Sequence, residues 1–237
     1  MYRYPKLTRA VIERRYKRFL ADVILESGEK VTAHCPNTGS MRSCWYPGAS
    51  VLLSHSNNPK RNLAWTLECV DTGAGWVGVN TTRVNHIIAT GIENQAIAAL
   101  AGYQTLKKEP RIEITGFPAS RFDLLLQHSR RAACYVEIKN TTLLVGDTVM
   151  FPDAVSVRAR KHLLLLAECR QQGFRSVILF AINRPEGRFF SPARDIDPAY
   201  ARTLESVHAK GVEIILVRLA HDESAVKITG SVQITAK

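Results

Sequence analysis

The sequence predicts a mixed α/β protein in which a small five-stranded β-barrel precedes an α/β domain. Residues 16–80 form short β-rich runs separated by turn signals, and from about residue 81 helical and strand patterns alternate. The composition, 46% hydrophobic and 22% charged, is ordinary for folded domains. Because a chain of 237 residues has room for two modest domains, we predict domains at 1–81 and 82–237.

Five apolar runs predict the strands of the barrel, since turn residues such as Gly, Pro and Asn separate them. The runs are RFLADVIL (18–25), KVTAHC (30–35), ASVLLSH (49–55), LAWTLECV (63–70) and GWVGVN (75–80). Their number and length match an OB-like barrel, a fold that often binds nucleic acid. An SH3-like barrel would give much the same pattern, and the step from a barrel to nucleic acid is an analogy.

The second domain is predicted to begin with a helix. Within residues 83–101 five apolar residues recur at helical spacing and Gly102 is placed to end the helix; they are Ile87, Ile88, Ile92, Ile97 and Leu100. The later elements are strands at 111–115, 121–127 and 134–140, a hairpin across 145–148, a helix at 156–172, a strand at 176–183, a helix at 197–210 and a strand at 212–219. Within the strands at 176–183 and 212–219, the largely apolar runs VILFAI (177–182) and VEIILV (212–217) indicate central strands covered on both faces.

The charge balance favours a polyanionic partner. The chain has 32 Lys and Arg against 21 Asp and Glu, a net charge of +11, and nucleic acid is the leading candidate. Residues 1–18 hold seven basic residues interleaved with three tyrosines. This segment either contacts a phosphate backbone or is a solvated lead-in to the first strand.

The cysteines and the apolar runs indicate the cellular compartment of the protein. Five scattered cysteines without a C-x-x-C pair argue against a disulfide framework and against a zinc site. The sequence has neither a leader pattern nor an apolar run of about 20 residues. We therefore expect reduced thiols, no membrane partner and a cytoplasmic location.

Two predicted strands carry acids at positions that can meet. In CYVEIKN, Glu137 and Lys139 share one face of the strand. In RFDLLLQ, Asp123 is expected on the face opposite Phe122 and Leu124, and it meets Glu137 if the two strands pair as a hairpin. Two such carboxylates suit Mg²⁺ or Mn²⁺, and a nearby lysine can orient the attacking water. Asp…Glu-x-Lys is the core of the PD-(D/E)xK nuclease pattern, although alternating charges on a solvent-facing strand look the same.

Six blocks of sequence resemble the SfsA, or sugar fermentation stimulation, family from end to end. The blocks are RYKRFLADV (15–23), HCPNTGSM (34–41), GVNT (78–81), YVEIKN (135–140), FPDAV (151–155) and KHL (161–163). They fall in the family's order at similar separations. The resemblance implies an OB-like N-terminal domain, a C-terminal domain of PD-(D/E)xK nuclease type, non-specific DNA binding and a regulatory role in sugar (maltose) metabolism.

The resemblance also implies site residues. Asp123, Glu137 and Lys139 carry over as catalytic residues, and Glu109 joins the two acids as a ligand of Mg²⁺ or Mn²⁺. The resemblance covers the segment that carries Arg158, Lys161 and His162, and the charge pattern of the chain adds further basic residues expected to contact the DNA backbone: Arg15, Lys17, Arg18, Lys60, Arg61 and Arg121.

Two departures from the family pattern bear on hydrolysis. Val157 and Thr90 stand where relatives usually carry Glu, and a helix glutamate often assists the metal in nucleases of this type. Two functions therefore remain open, a non-specific DNA-binding protein and a divalent-metal nuclease. Single-stranded nucleic acid on the barrel is a third.

Overall fold

The computed structural model of the protein describes residues 1–230 and the backbone of residues 233–234. A β-barrel followed by a mixed α/β domain is confirmed as the fold class. Among the helices of the described residues, none combines the length and the apolar character needed to cross a membrane.

The barrel is built from the first part of the chain. Its strands and their neighbours are β1 (Tyr2–Arg3), β2 (Leu7–Tyr16), β3 (Leu20–Leu25), β4 (Lys30–His34), β5 (Ser50–His55), β6 (Trp65–Asp71) and β7 (Trp76–Gly78). Strands β2 to β6 pair in the order β4-β3-β2-β5-β6, and a parallel pair, His34 with Thr66, joins β4 to β6. The five strands thus close on themselves around a buried apolar interior that includes Ile12, Val23 and Leu67.

The membership of the barrel differs from the prediction. Strand β2 lies in the basic segment at residues 1–18, for which a solvated lead-in was one of the two interpretations, and it is a strand of the barrel. Residues 75–80 contain only β7, which pairs with β6 at the side of the barrel. In β2 only Ala10 and Ile12 are buried, while Arg9 and Arg14 point to solvent. Because polar residues outnumber the two buried ones, the alternation of a half-buried strand is weak in this segment.

The second domain contains the remaining elements. They are α1 (Thr81–Glu93), β8 (Thr105–Lys108), β9 (Arg111–Ile112), β10 (Ser120–Arg121), β11 (Leu124–His128), β12 (Arg131–Thr141), β13 (Leu143–Val145), β14 (Thr148–Phe151), α2 (Val157–Gln171), β15 (Arg175–Ile182), β16 (Phe189–Pro192), α3 (Pro198–Ala209), β17 (Glu213–His221), β18 (Ala225–Gly230) and β19 (Gln233–Ile234). The main sheet has the order β1-β18-β17-β15-β12-β11-β8, with β12, β15 and β17 parallel. Helices α2 and α3 cover one face of this sheet, and α1 covers the other.

The predictions for α2 and α3 are confirmed, and their ends have a local cause. The Ser156 hydroxyl accepts a hydrogen bond from the backbone N–H of Ala159 (3.1 Å), which starts α2. Asp197 caps α3 in the same way through the N–H of Tyr200 (2.8 Å). Gly173 and Gly211 follow the two helices with φ of +89° and +91°, a conformation that only glycine adopts without strain.

The first helix and the strands after it were predicted less well. Helix α1 ends at Glu93 rather than near residue 101, and a separate 3₁₀ turn, Ala98–Leu100, follows. Ile97 and Leu100 nevertheless pack in the same core as α1, because both segments lie on one face of the sheet. Of residues 111–115, only β9 forms a strand, and it pairs with β10 in a small ribbon outside the main sheet.

The expectation that Phe122 and Leu124 share a face is wrong. Phe122 packs with α2 and α3, whereas Leu124 packs with α1 on the opposite side of the sheet. The reason is that the chain leaves the β9–β10 ribbon at Arg121 and enters the main sheet only at Leu124. Asp123 therefore lies at a junction between two sheets.

The N-terminal residues cross to the second domain before the barrel begins. Tyr2 in β1 pairs with Val226 in β18 at the edge of the main sheet. Further along, the hydroxyl of Tyr4 bonds to Nδ1 of His221 (2.7 Å). The two domains are thus joined at this edge as well as at residues 79–81.

Candidate active site

A cleft of about 650 Å³ lies between the barrel and the second domain. The barrel lines one side with Arg18 and residues 37–40. The second domain lines the other with Asp123, Glu137 and Lys139, together with residues from α1, β14 and the start of α2. The predicted catalytic residues therefore share one cavity, and the barrel faces them.

The hairpin register brings the two acids together. Strands β11 and β12 pair with Leu124 opposite Val136, so that Asp123 comes next to Glu137. The Asp123 carboxylate accepts hydrogen bonds from the backbone N–H of Ile138 and from Nδ2 of Asn85, both at 2.7 Å. These two donors hold the side chain at the junction between the sheets.

Glu137 is the most buried member of the site, with 3% of its surface exposed. Its Oε1 accepts from Nζ of Lys139 and from Nδ1 of His162, each at 2.5 Å. Within residues 1–230, its Oε2 has no hydrogen-bond partner. An unpaired buried carboxylate oxygen is unfavourable, so this atom would gain from coordinating a cation or from accepting a hydrogen bond.

The two acids differ in their electrostatics. Burial, and then the charge of Glu137, raise the pKa of Asp123 from its ordinary 3.8 to about 6. Burial would also raise the pKa of Glu137, but Lys139 and His162 outweigh burial and hold it below its usual value. Of the two acids, Asp123 is therefore the one whose ionised form the fold disfavours.

A divalent cation fits this arrangement. Two carboxylates, one with an oxygen that has no partner among the residues described by the structure, supply the hard oxygen ligands that Mg²⁺ or Mn²⁺ prefers, and Mg²⁺ commonly keeps several of its waters. No group of three His, Cys, Asp or Glu converges on a common point among residues 1–230. Glu109 does not line the cleft: its side chain is 72% exposed and lies 3.6 Å from Arg121.

The predicted DNA-contact residues are distributed over several places. Arg18 and Arg158 line the cleft, and Lys17 and Arg18 form the β2–β3 turn with positive φ. Lys161 is half-buried. His162 is buried against Glu137 and so lies in the acidic site rather than on an exposed basic stripe.

Other predicted basic residues lie outside the cleft. Arg15 donates through Nη2 to the backbone carbonyls of Arg18, Asn37 and Gly39 and so holds the barrel loops together. Lys60 lies exposed in the turn between β5 and β6, and Arg61 lines a separate hollow of about 270 Å³. The Arg121 side chain is exposed.

The site also contains residues without a predicted role. Asn85 is one turn into α1, and no motif singled it out. Asp153 stands in the FPDAV block, and its carboxylate accepts from the backbone N–H of Met41 (3.2 Å) across the cleft. Thr90 does not line the cleft, and Val157 is 68% exposed.

The fold and the cleft define a class: a two-domain protein in which an OB barrel faces an acidic cleft in a mixed α/β domain. The family described as "SfsA N-terminal OB domain" matches residues 14–79, and "Sugar fermentation stimulation protein RE domain" matches residues 82–225. The chain belongs to this sugar fermentation stimulation protein family.

Similar proteins cover nearly the whole chain. A sugar fermentation stimulation protein homolog of Geotalea uraniireducens is 46% identical over 95% of each chain. One of Acidithiobacillus ferrooxidans is 49% identical over 90% of this chain and 91% of the relative. The solved structure of Pyrococcus furiosus SfsA in complex with Ca²⁺ is 26% identical, with a TM-score of 0.87, and the match covers 100% of this chain and 98% of that one.

Proposed function

We propose that the protein binds DNA and that its cleft is a divalent-metal-dependent phosphodiesterase centre of the PD-(D/E)xK type. One observation carries the proposal: Asp123 and Glu137 meet on adjacent strands beside Lys139, with a buried Glu137 oxygen left unpaired within the described residues. Such convergence of two acids and a base in a cleft is the arrangement that metal-assisted phosphoryl chemistry requires.

Each side chain has a role in this proposal. A bound Mg²⁺ or Mn²⁺ would polarise a phosphate oxygen and lower the pKa of a bound water. Asp123, fixed by Ile138 and Asn85, and Glu137, through Oε2, would hold the ion. Lys139 orients the attacking water and offsets charge on the phosphate.

Two further observations support the proposal. The net charge of +11 favours a polyanion, and Arg18 and Arg158 bring two cations to the cleft. The related Pyrococcus furiosus protein is described in complex with Ca²⁺, a cation that takes the same class of oxygen ligands.

The test is cleavage of plasmid and linear DNA with Mg²⁺ or Mn²⁺. We expect the wild type to cut, and we expect Asp123→Asn and Glu137→Gln to lose about a hundredfold or more in rate, because each removes a charged ligand. Glu223→Gln is the matched control, since Glu223 pairs with Arg9 at the surface away from the cleft. Cleavage that survives in both site variants would reject the phosphodiesterase.

A second candidate is DNA binding without cleavage, in the service of a regulatory role in sugar metabolism. It is favoured by the position of Glu109, whose exposed side chain lies outside the cleft and so does not join Asp123 and Glu137 as a third ligand. This candidate predicts retarded DNA without added metal and no cleavage with it. Its affinity should fall linearly on a log–log plot against salt, with a slope of about −0.9 per phosphate neutralised.

A further inference from the structure

The inference concerns the barrel loop, defined here as residues 36–41, which forms one wall of the cleft. The loop is tied to the second domain at both ends. At its start the Thr81 hydroxyl donates to the carbonyl of Pro36 (2.5 Å), and at its end the N–H of Met41 donates to the carboxylate of Asp153 (3.2 Å). The barrel loop therefore spans from the start of α1 to the segment before α2.

The barrel side holds the loop equally firmly. Arg15 donates to the carbonyls of Asn37 (2.7 Å) and Gly39 (3.0 Å), and the Asn37 side chain accepts from the N–H of Gly39 (2.9 Å). A Cβ added at Gly39 would lie 2.3 Å from Oδ2 of Asp153, so the two domains approach more closely here than another residue would permit. Hydrogen bonds to both domains therefore hold this wall of the cleft in place.

This closure limits what can reach the acids. The cleft has a volume of about 650 Å³, which is the size of a small-molecule site. Glu137 is almost fully buried, and residues 37–40 line the same cleft as Asp123 and Glu137. A duplex is a stiff rod with a persistence length of about 150 base pairs and does not readily bend a phosphate into a cleft with a wall on each side, whereas a flexible single strand can enter one.

The lining of the cleft matches one nucleotide strand. Arg18 and Arg158 supply cations, and Thr38 supplies an exposed hydroxyl, all suited to a phosphate backbone. Phe151 and Met150, both partly exposed, add apolar surface for a base or sugar. Charged groups for the backbone together with apolar surface for the bases are characteristic of single-strand sites.

Building on the proposed function, we propose that the cleft admits single-stranded DNA and that the barrel loop selects it by excluding a paired duplex. Duplex DNA remains a ligand for the exterior basic surface but does not present its phosphates to Asp123 and Glu137. The barrel is in this way a specificity element of the same site.

The first experiment measures binding by anisotropy of a labelled single-stranded oligodeoxynucleotide in EDTA at about 0.15 M salt. The competitors are circular single-stranded DNA and covalently closed relaxed duplex, neither of which has ends. We expect the single strand to compete at least about tenfold better per nucleotide. Equal competition would overturn this inference and leave DNA binding intact, whereas no binding of any DNA would overturn both.

The second experiment tests the wall directly. Thr38→Glu places a carboxylate on the cleft side of the barrel loop, and we expect about tenfold weaker single-strand binding with unchanged duplex binding, because a like charge then faces the phosphate. Ser27→Glu, in an exposed turn of the same barrel, is the control and should leave both unchanged. Thr38→Gln, of similar size and neutral, should lose less than Thr38→Glu. Equal loss for single strand and duplex, or no loss with Thr38→Glu, contradicts the proposal, and urea unfolding midpoints verify that the variants fold.

Discussion

Replacing Asp123 by asparagine should make the metal-free protein more stable. Burial and the charge of Glu137 raise the pKa of Asp123 from 3.8 to about 6, so the ionised carboxylate is unfavourable in the fold. At about 1.4 kcal/mol per pKa unit this corresponds to about 3 kcal/mol at most. The asparagine can keep both contacts, because its Oδ1 accepts from Ile138 and its Nδ2 can donate to Asn85 after that amide flips.

The sign of the pH dependence follows from the raised pKa. Below about pH 4 the carboxyl is protonated in both the folded and the unfolded chain, and the penalty is absent. Between about pH 4 and pH 6 the unfolded chain ionises first, so the wild type loses stability as pH rises. Above about pH 6 the full penalty applies, and the gain from Asp123→Asn should reach a plateau of about 1–3 kcal/mol.

The assay is urea unfolding in EDTA at about pH 8 and about pH 4, with the free energy of unfolding taken from linear extrapolation. Glu223→Gln, which changes an exposed surface acid, should stay within about 0.5 kcal/mol of the wild type at both pH values. If Asp123→Asn is less stable at pH 8, or gains equally at both pH values, the reasoning about the acid pair is wrong. A gain in stability at pH 8 that is absent at pH 4 would instead indicate that Asp123 is retained for its chemistry rather than for stability.

Three further predictions follow from the site and the surface. Mn²⁺ at about 100 times its dissociation constant should stabilise the wild type by about 2.7 kcal/mol, and Glu137→Gln should abolish most of that gain in thermal melts. Neutralising Lys60 and Arg61 to Gln should reduce the slope of log affinity for DNA against log salt by about 1–2, while an unchanged slope would show that this turn lies outside the DNA contact. Gly39→Ala should destabilise by about 1–3 kcal/mol in urea, because the added Cβ meets the Asp153 carboxylate, and Asp153→Gly in the same chain should restore much of the loss.

The parts of the fold with strong local signals were predictable. Helices α2 and α3 each follow a capping residue and end before a glycine, and the structure places them within a residue or two of the prediction. Strand β2 was missed as a barrel strand because its outward face is densely charged. The predicted end of helix α1 is too late in the sequence, because Ile97 and Leu100 continue the apolar spacing after the helix has ended at Glu93.

The site was predictable where it depends on pairing of neighbouring strands. Asp123 and Glu137 come together because consecutive strands commonly pair, and because Leu124 lies opposite Val136 in the hairpin. The roles of Asn85 and Asp153 were not predictable, since each contacts the site from a distant segment whose position depends on the packing of the two domains. His162 was expected on an exposed face, but the rotation of α2 against the sheet, set by its buried leucines, turns it toward Glu137.

The pairing of β1 with β18 has a consequence for how the chain folds during synthesis. Tyr2 pairs with Val226, and Arg9 bonds to Glu223, so these contacts form only after residues 223–226 have been synthesised. The barrel strands β2 to β6 can associate early, whereas the edge of the main sheet closes only after β18 has been synthesised. Hydrogen exchange on a chain stopped before residue 225 should therefore find the barrel amides protected and those of residues 2–4 open.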